Sequence, residues 1–144
     1  MEKPFKEGSK KFSVWVIKLS GELSRFRIRF IIEGVGEAEG ELNRLKAPMT
    51  VEAILRVLPI TSNASVWRGK EVYFPIGIKR GAEKAKKEVE VGEIAYWPMG
   101  DSLCIFHDKI KPYSEVNPVG KITRGLELFR QVKQGTRIRV ELAK

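Results

Sequence analysis

The chain has 144 residues, of which 42% are hydrophobic and 31% charged, a composition that excludes a disordered protein and indicates a globular one. This length allows one compact domain with its own core and is too short for two. The formal net charge of +9 favours anionic partners at low salt but is not by itself a signature of nucleic-acid binding.

A single cysteine, Cys104, excludes an internal disulfide and any metal site built from cysteines, and it fits a reducing compartment. Residues 12–18 are too short a stretch for the apolar part of a signal peptide or for a membrane span. We therefore expect a cytoplasmic protein with no membrane association, no metal and no cofactor. The abundance of Lys, Glu and Arg is typical of heat-adapted proteins.

Residues 1–24 are predicted to be an N-terminal extension of a domain that spans residues 25–144. Within it, residues 12–18 alternate apolar and polar side chains before a turn at Ser20-Gly21, which predicts one added strand. Because an unpaired strand edge can pair with another chain, this strand also suggests a homodimer.

The domain opens with a predicted hairpin. Residues 25–31 alternate arginine and apolar side chains, which indicates a strand with one face buried. Gly34-Val35-Gly36 supplies a tight turn, and residues 37–42 alternate again with acidic side chains on the polar face. The second strand is therefore expected to be an antiparallel partner of the first.

A helix is predicted next. Pro48 suits a first helical turn, apolar residues follow at core-facing helical spacing, and Pro59 ends the pattern. A polar loop is then expected at residues 61–65, followed by a strand at residues 71–78 whose proline and glycine suggest an edge or a bulge.

The second half of the chain reads as an exposed connection and then short strands. Residues 79–88 are mostly charged and have no apolar periodicity, which predicts a solvated loop. A short helix is expected to stop at Gly135, before a final alternating strand at residues 136–142. Three short apolar runs, at residues 94–97, 103–106 and 119–122, lie between the solvated loop and this helix and are predicted to be strands.

These elements add up to roughly eight strands and two short helices. Many short strands with two helices at separate points favour a closed antiparallel barrel, because closure removes exposed strand edges. The predicted fold is thus mainly β: an eight-stranded antiparallel barrel with an extra N-terminal strand.

Three segments carry a family resemblance. Residues 47–52, Ala-Pro-Met-Thr-Val-Glu, contain the Pro-x-Thr-x-Glu pattern that typically opens the first helix of the cyclophilins. Residues 120–125 resemble the cyclophilin Gly-Lys-Val-x-x-Gly segment, and residues 100–102 before an apolar strand resemble its Asn-Gly-Ser-Gln-Phe-Phe segment. The resemblance covers about residues 25–142 and implies a cyclophilin-like barrel.

Two further segments resemble a narrower group. Residues 92–98, Gly-Glu-Ile-Ala-Tyr-Trp-Pro, and residues 116–120, Val-Asn-Pro-Val-Gly, are similar to the small prokaryotic cyclophilin-like proteins. The biochemical role of that group is not established, so this likeness predicts the fold rather than a reaction.

The resemblance implies a catalytic candidate and two departures from the catalytic pattern. Cyclophilins lower the prolyl isomerisation barrier of about 18–20 kcal/mol with an arginine donor, and Arg68 is the arginine nearest the matching place. Leu103 stands where the family has a glutamine, and Ile105 where it has a phenylalanine. Because leucine cannot hydrogen-bond a substrate backbone, the resemblance implies an apolar pocket with little or no isomerase activity.

Aromatic residues could line such a pocket, because their rings offer broad, rigid contact area. The leading hypothesis is a binding module for a peptide or small ligand, and the alternative is a weak peptidyl-prolyl isomerase that uses Arg68. The candidate ligand-binding residues are Trp67, Tyr73, Tyr96, Trp97, Leu103 and Ile105.

A third hypothesis concerns arginines on the outside of the barrel. In the cyclophilin barrel the first and last strands are neighbours, which would place five arginines on one face: Arg25, Arg27, Arg29, Arg137 and Arg139. Such a face could bind an anion or nucleic acid, although no nucleic-acid motif accompanies it. Partial neutralisation by Glu37, Glu39 and Glu141 is the competing interpretation.

The sole histidine, His107, lies beside Asp108. One histidine with no cysteine cluster is a poor metal site, and no nucleophile motif accompanies it. An ordinary structural histidine is therefore expected here.

Overall fold

The computed structural model describes residues 24–143, within which nine antiparallel strands form a nearly closed barrel. The mainly β cyclophilin-like fold expected from the sequence is confirmed. The added strand predicted at residues 12–18, and the homodimer through it, lie outside the described residues. No helix within residues 24–143 is long and apolar enough to cross a membrane.

Within residues 24–143 the strands follow one another with one α-helix, which comes after the first hairpin. Helix α1 spans Pro48–Val57, and 3-10 helices span Pro98–Gly100 and Leu126–Gln131. The strands are β1 Arg25–Ile32, β2 Gly36–Asn43, β3 Ile60–Asn63, β4 Ser65–Trp67, β5 Glu71–Pro75, β6 Glu93–Trp97, β7 Ser102–Phe106, β8 Asn117–Arg124 and β9 Arg137–Leu142.

The barrel closes where the chain passes from β3 to β4. The strand order is β3-β9-β1-β2-β8-β6-β7-β5-β4, so two consecutive strands lie at opposite edges of the sheet. Between them, the backbone N–H of Ala64 donates to Thr136 O at 2.7 Å, and Gly135 N–H donates to Ala64 O at 2.7 Å. Residues 60–67 are thus one pass of chain interrupted at Ala64, which is why nine strands stand where eight were expected.

The prediction of a polar loop at residues 61–65 was wrong, because all of these residues except Ala64 belong to strands β3 and β4. Its backbone finds partners on β9, where Thr61 lies opposite Arg139. Across the barrel opening, Ser62 Oγ also donates to Pro75 O at 2.8 Å. The polar side chains of Thr61 and Asn63 are compatible with a strand, because they are exposed to solvent while their backbone pairs with β9.

Alternation along the strands fills the barrel with apolar side chains. In β1, Ile28, Phe30 and Ile32 are buried, and the ring of Phe129 packs edge-on against Phe30 at 5.5 Å between centroids. Each such fully buried side chain contributes roughly 1.5–3 kcal/mol relative to its exposed state. The apolar residues of the alternating sequence pattern are therefore the ones that fill the barrel interior.

A second, smaller core lies on the outer face of the sheet. Strands β5, β7 and β6 are neighbours, and their outward side chains are covered by two loop segments of the chain rather than by solvent. Its buried members are Ala95, Cys104, Phe106 and Val116, with Tyr73, Val89, Trp97 and Ile110 packed against them.

The segment at residues 79–88 is anchored although it lacks regular structure. The Glu83 carboxylate accepts hydrogen bonds from the backbone N–H groups of Met49 (3.0 Å) and Thr50 (2.8 Å) at the start of α1. Unpaired N–H groups at a helix start favour such an anion, and these bonds lower the pKa of Glu83 although partial burial opposes them. Further along, Lys86 and Val116 exchange two backbone hydrogen bonds, which joins the two covering loops.

Candidate functional site

Strand alternation delivers three aromatic side chains to the outer face of the barrel. In β5, Val72 and Phe74 are buried in the interior, so Tyr73 points outward. Trp67 lies opposite Glu71 in the β4–β5 pairing, and Trp97 lies at the end of β6. Three strands therefore place these rings on one side of the sheet.

The segment at residues 107–116 crosses above this face. The indole N–H of Trp97 donates to Ser114 Oγ at 2.7 Å, and the pairing of Lys86 with Val116 holds the end of the segment. Within this segment Pro112 is buried, whereas Tyr113 is 69% exposed. The segment thus forms a wall that a ligand can reach from solvent.

Sheet and covering segment enclose a cleft of about 220 Å³. Sites for drug-sized ligands have volumes of roughly 300–1,000 Å³, so this cleft suits a group the size of one or two side chains. The residues that line it are Trp67, Glu71, Tyr73, Trp97, Pro112, Tyr113 and Val116.

The four rings of the cleft form a continuous series of edge-to-face contacts. Tyr73 and Trp97 have centroids 5.8 Å apart and planes at 87°, and Trp97 and Tyr113 are 6.0 Å apart at 77°. Trp67 and Tyr113 complete the series at 6.1 Å and 86°. Because successive planes are nearly perpendicular, the rings brace one another and present π faces in different directions.

One acidic side chain, Glu71, lies among these rings. It is only 6% exposed, and burial raises the pKa of its carboxyl group to about 7, with a hydrogen bond from the Cys104 thiol acting in the opposite direction. Burial, together with the neighbouring Glu71, also raises the pKa of that thiol well above its usual value. Glu71 makes no ion pair with any residue in the described range 24–143. Its carboxyl group therefore exchanges between neutral and ionised forms near neutral pH.

The sequence-predicted ligand-binding residues divide into two groups. Trp67, Tyr73 and Trp97 line the cleft, whereas the other three are buried in the barrel interior and do not reach it. Alternation explains the division, because side chains of neighbouring residues on one strand point to opposite faces. The interior residues are Tyr96, Leu103 and Ile105.

Tyr96 has a structural environment of its own. Its hydroxyl group donates to Asp101 Oδ1 at 2.6 Å and accepts from the backbone N–H of Arg80 at 3.2 Å. Burial, reinforced by the bond to Asp101, raises the pKa of Tyr96 to about 12. These contacts tie β6 to the loop after β5.

Arg68 lies in the turn between β4 and β5, with a positive φ of 55°. Its side chain is exposed, and its guanidinium carbon is 4.9 Å from the centroid of the Trp67 ring. Arg68 is not among the residues that line the cleft, but it lies against one of its walls.

Four lining residues were missed by sequence reasoning. Glu71 carried a usable signal, because it precedes Tyr73 by two positions on a predicted strand and so shares its face. Pro112, Tyr113 and Val116 belong to a segment without periodicity, and no local pattern predicts that it folds over this part of the sheet.

The arginines of β1 and β9 do lie on neighbouring strands. Arg29 Nη1 donates to Glu141 Oε2 at 2.9 Å, and Arg139 Nε donates to Glu141 Oε1 at 3.0 Å. One carboxylate thus contacts two of the five arginines. Arg25 and Arg27 are exposed and form no ion pair with a described residue. Anion binding by this face stays a prediction.

His107 is buried and hydrogen-bonded. Its Nδ1 lies 3.0 Å from Asp108 Oδ2, and burial lowers the pKa of the imidazole although Asp108 opposes this. Arg130 donates to both Asp108 oxygens at 3.1 Å and, with His107, lowers the pKa of that carboxyl group to about 2. Across the described part of the chain, no three His, Cys, Asp or Glu side chains cluster as metal ligands would.

A family model described as cyclophilin-like matches residues 26–141. The solution structure of the hypothetical protein AF2241 from Archaeoglobus fulgidus is 38% identical, with a TM-score of 0.71 over 83% of this chain and 96% of that one. No curated protein sequence matches the chain.

Two more distant structures share the fold alone. McbB in complex with tryptophan is 16% identical, with a TM-score of 0.68 over 79% of this chain and 44% of that one. A cyclophilin-type peptidyl-prolyl cis-trans isomerase from Cryptosporidium parvum is 12% identical, with a TM-score of 0.61 over 83% of this chain and 98% of that one.

Proposed function

Because the chain belongs to the cyclophilin-like family, we propose that it is a binding module that takes a small ligand or a peptide side chain into its aromatic cleft. The observation that carries this proposal is the cleft itself, in which four rings, each nearly perpendicular to the next in the series, border about 220 Å³ on the outer face of the barrel. Concave, mostly apolar surfaces with few polar groups are where proteins bind small ligands.

The construction of the cleft supports binding rather than mere packing. Its walls come from four separate segments, and Tyr113 keeps most of its surface exposed at the rim. A core aromatic residue would be fully buried, whereas Trp67, Tyr73 and Trp97 are only partly buried and Tyr113 is exposed. Rigid rings lose little conformational freedom when a ligand docks, which favours affinity.

A weak peptidyl-prolyl isomerase is the second candidate. The guanidinium group of Arg68 lies against the Trp67 wall, so a hydrogen-bond donor is next to the cleft. Leu103, at the place of the cyclophilin glutamine, is buried in the interior and cannot hold a substrate backbone. Binding without efficient isomerisation is therefore the favoured function.

The deciding experiment is NMR with a panel of proline peptides and free L-tryptophan, the latter because McbB was solved with tryptophan. Two of the chain's three tryptophans line the cleft, and a Trp15→Phe background leaves only the indole N–H signals of Trp67 and Trp97. We expect saturable shifts of both signals. Shifts that also occur in a Tyr113→Ala variant, with unchanged affinity, would contradict binding in the cleft.

The same samples test the isomerase. Exchange spectroscopy measures cis–trans interconversion in the peptides directly, and we expect little or no acceleration. Acceleration that Arg68→Ala abolishes, in a protein that keeps its fold, would establish the second candidate instead.

A further inference from the structure

No charged side chain among residues 24–143 forms an ion pair with the carboxyl group of Glu71. It lines the cleft, is 6% exposed, and accepts a hydrogen bond from the uncharged thiol of Cys104. Buried ionised carboxylates are costly unless they are paired. No lysine, arginine or histidine is among the seven residues that line the cleft, so the cleft has an anionic group and no cation.

The rings around Glu71 offer a second source of attraction for a cation. Ring faces carry partial negative charge, and cations bind over them, most strongly over tryptophan. The Trp67 ring already attracts one, because the Arg68 guanidinium carbon lies 4.9 Å from its centroid. Trp97, Tyr73 and Tyr113 supply further rings within the same cleft.

Resting on the proposed function of the cleft, we propose that its ligand carries an organic ammonium group, methylated or quaternary, which lies among the four rings with the Glu71 carboxylate as its counter-charge. Aromatic walls with a nearby carboxylate suit a weakly hydrated, bulky cation. A bare divalent ion is a poor match, because it requires several oxygen ligands and one carboxylate is present. An anionic ligand would face repulsion from Glu71.

The proposal predicts how affinity changes with pH. An ammonium ion binds the ionised form of Glu71, so affinity rises as pH increases from 6 to 8 and then levels off. Among the described residues, the Cys104 thiol on β7 hydrogen-bonds Glu71, and Tyr73 and Tyr113 are the other titratable residues that line the cleft. None of these carries a positive charge, so none replaces the ligand as counter-ion.

The test compares choline with 3,3-dimethyl-1-butanol, its uncharged isostere, by titration of the Trp67 and Trp97 indole signals. We expect choline to bind about tenfold more tightly, which corresponds to about 1.4 kcal/mol. Glu71→Gln should remove about the same factor from choline and leave the alcohol unchanged. Equal affinities for both compounds, unaffected by Glu71→Gln, would overturn the ammonium inference while leaving a binding module.

A second variant and a peptide comparison test the same inference independently. If Glu71→Gln does not fold, Tyr113→Ala removes an exposed ring, with Leu45→Ala as the control because Leu45 is similarly exposed at 67% and lies outside the cleft. A peptide with trimethyllysine, compared with its unmethylated form, distinguishes a protein side chain from a free metabolite as the source. If no ammonium compound binds, the inference is wrong, and the proline and tryptophan panel then decides the proposed function separately.

Discussion

The indole nitrogen of Trp97 donates to Ser114 Oγ across 2.7 Å, and this contact joins a wall of the cleft to the segment that covers it. Trp97 ends β6, whereas Ser114 lies in a segment without regular structure. The hydrogen bond therefore couples the shape of the cleft to the position of residues 107–116.

Removal of this bond should loosen the covering segment. We expect Ser114→Ala to reduce the free energy of unfolding by about 0.5–1.5 kcal/mol and to increase amide hydrogen exchange in residues 107–116 while the barrel strands keep their protection. Thr123→Ala is the control, because Thr123 is exposed on β8. Equal exchange in both variants would show that the bond does not hold the segment.

Glu71 should make the protein less stable as pH rises. Its carboxyl pKa is about 7 in the folded state, against a model-compound value of 4.5, so the folded state binds the proton more tightly. The cost of ionising the buried carboxyl group is absent below about pH 4.5, grows between pH 4.5 and pH 7, and is complete above about pH 7. At about 1.4 kcal/mol per pKa unit, the rise from 4.5 to about 7 corresponds to a loss on the order of 3–4 kcal/mol.

Chemical denaturation of the wild type and Glu71→Gln between pH 4.5 and 8 measures this effect. His107 contributes with the opposite sign, because burial lowers its pKa and the folded protein therefore loses stability as pH falls below the ordinary imidazole value. The difference between the two proteins cancels that contribution. A difference that does not change with pH would contradict the raised pKa.

Gly120 should tolerate no side chain. A Cβ atom there would overlap the backbone carbonyl oxygen of Glu41, because β8 lies against β2 at this position, where Gly120 pairs with Leu42. We expect Gly120→Ala to destabilise the barrel by at least about 1–3 kcal/mol, as overpacking does. Gly81→Ala is the matched control, since an added Cβ at Gly81 meets nothing within 4 Å. Thermal unfolding of both variants decides it, and equal midpoints would refute the steric argument.

Glu141 should restrain the arginine-rich face. Its carboxylate contacts Arg29 and Arg139 at 2.9 and 3.0 Å, so Glu141→Gln should free both guanidinium groups for an anion. We expect later elution from a heparin column and a steeper salt dependence of binding to a short DNA duplex. Glu88→Gln changes net charge equally at an exposed position. If both variants behave alike, only net charge matters, and the face is no specific anion site.

Much of the fold followed from local patterns. Alternation at residues 25–31 predicted β1, and Pro48 and Pro59 framed the helix that spans Pro48–Val57. Alternation also explains why Tyr96 lies in the interior and Trp97 on the exterior, although both were candidate ligand-binding residues. The pairing of β3 could not be foreseen, because hydrogen bonds to β9 come from residues more than 70 positions away.

The sequence by itself determined which side chains share a face of each strand, since that depends only on the geometry of an extended backbone. It thereby determined the mainly β barrel and the outward direction of Tyr73. Only the tertiary structure decided that Trp67, Trp97 and Tyr113 meet around Glu71. The burial that raises the pKa of Glu71 depends on a covering segment some 40 residues away, and solvent exclusion by distant chain has no local signal in the sequence.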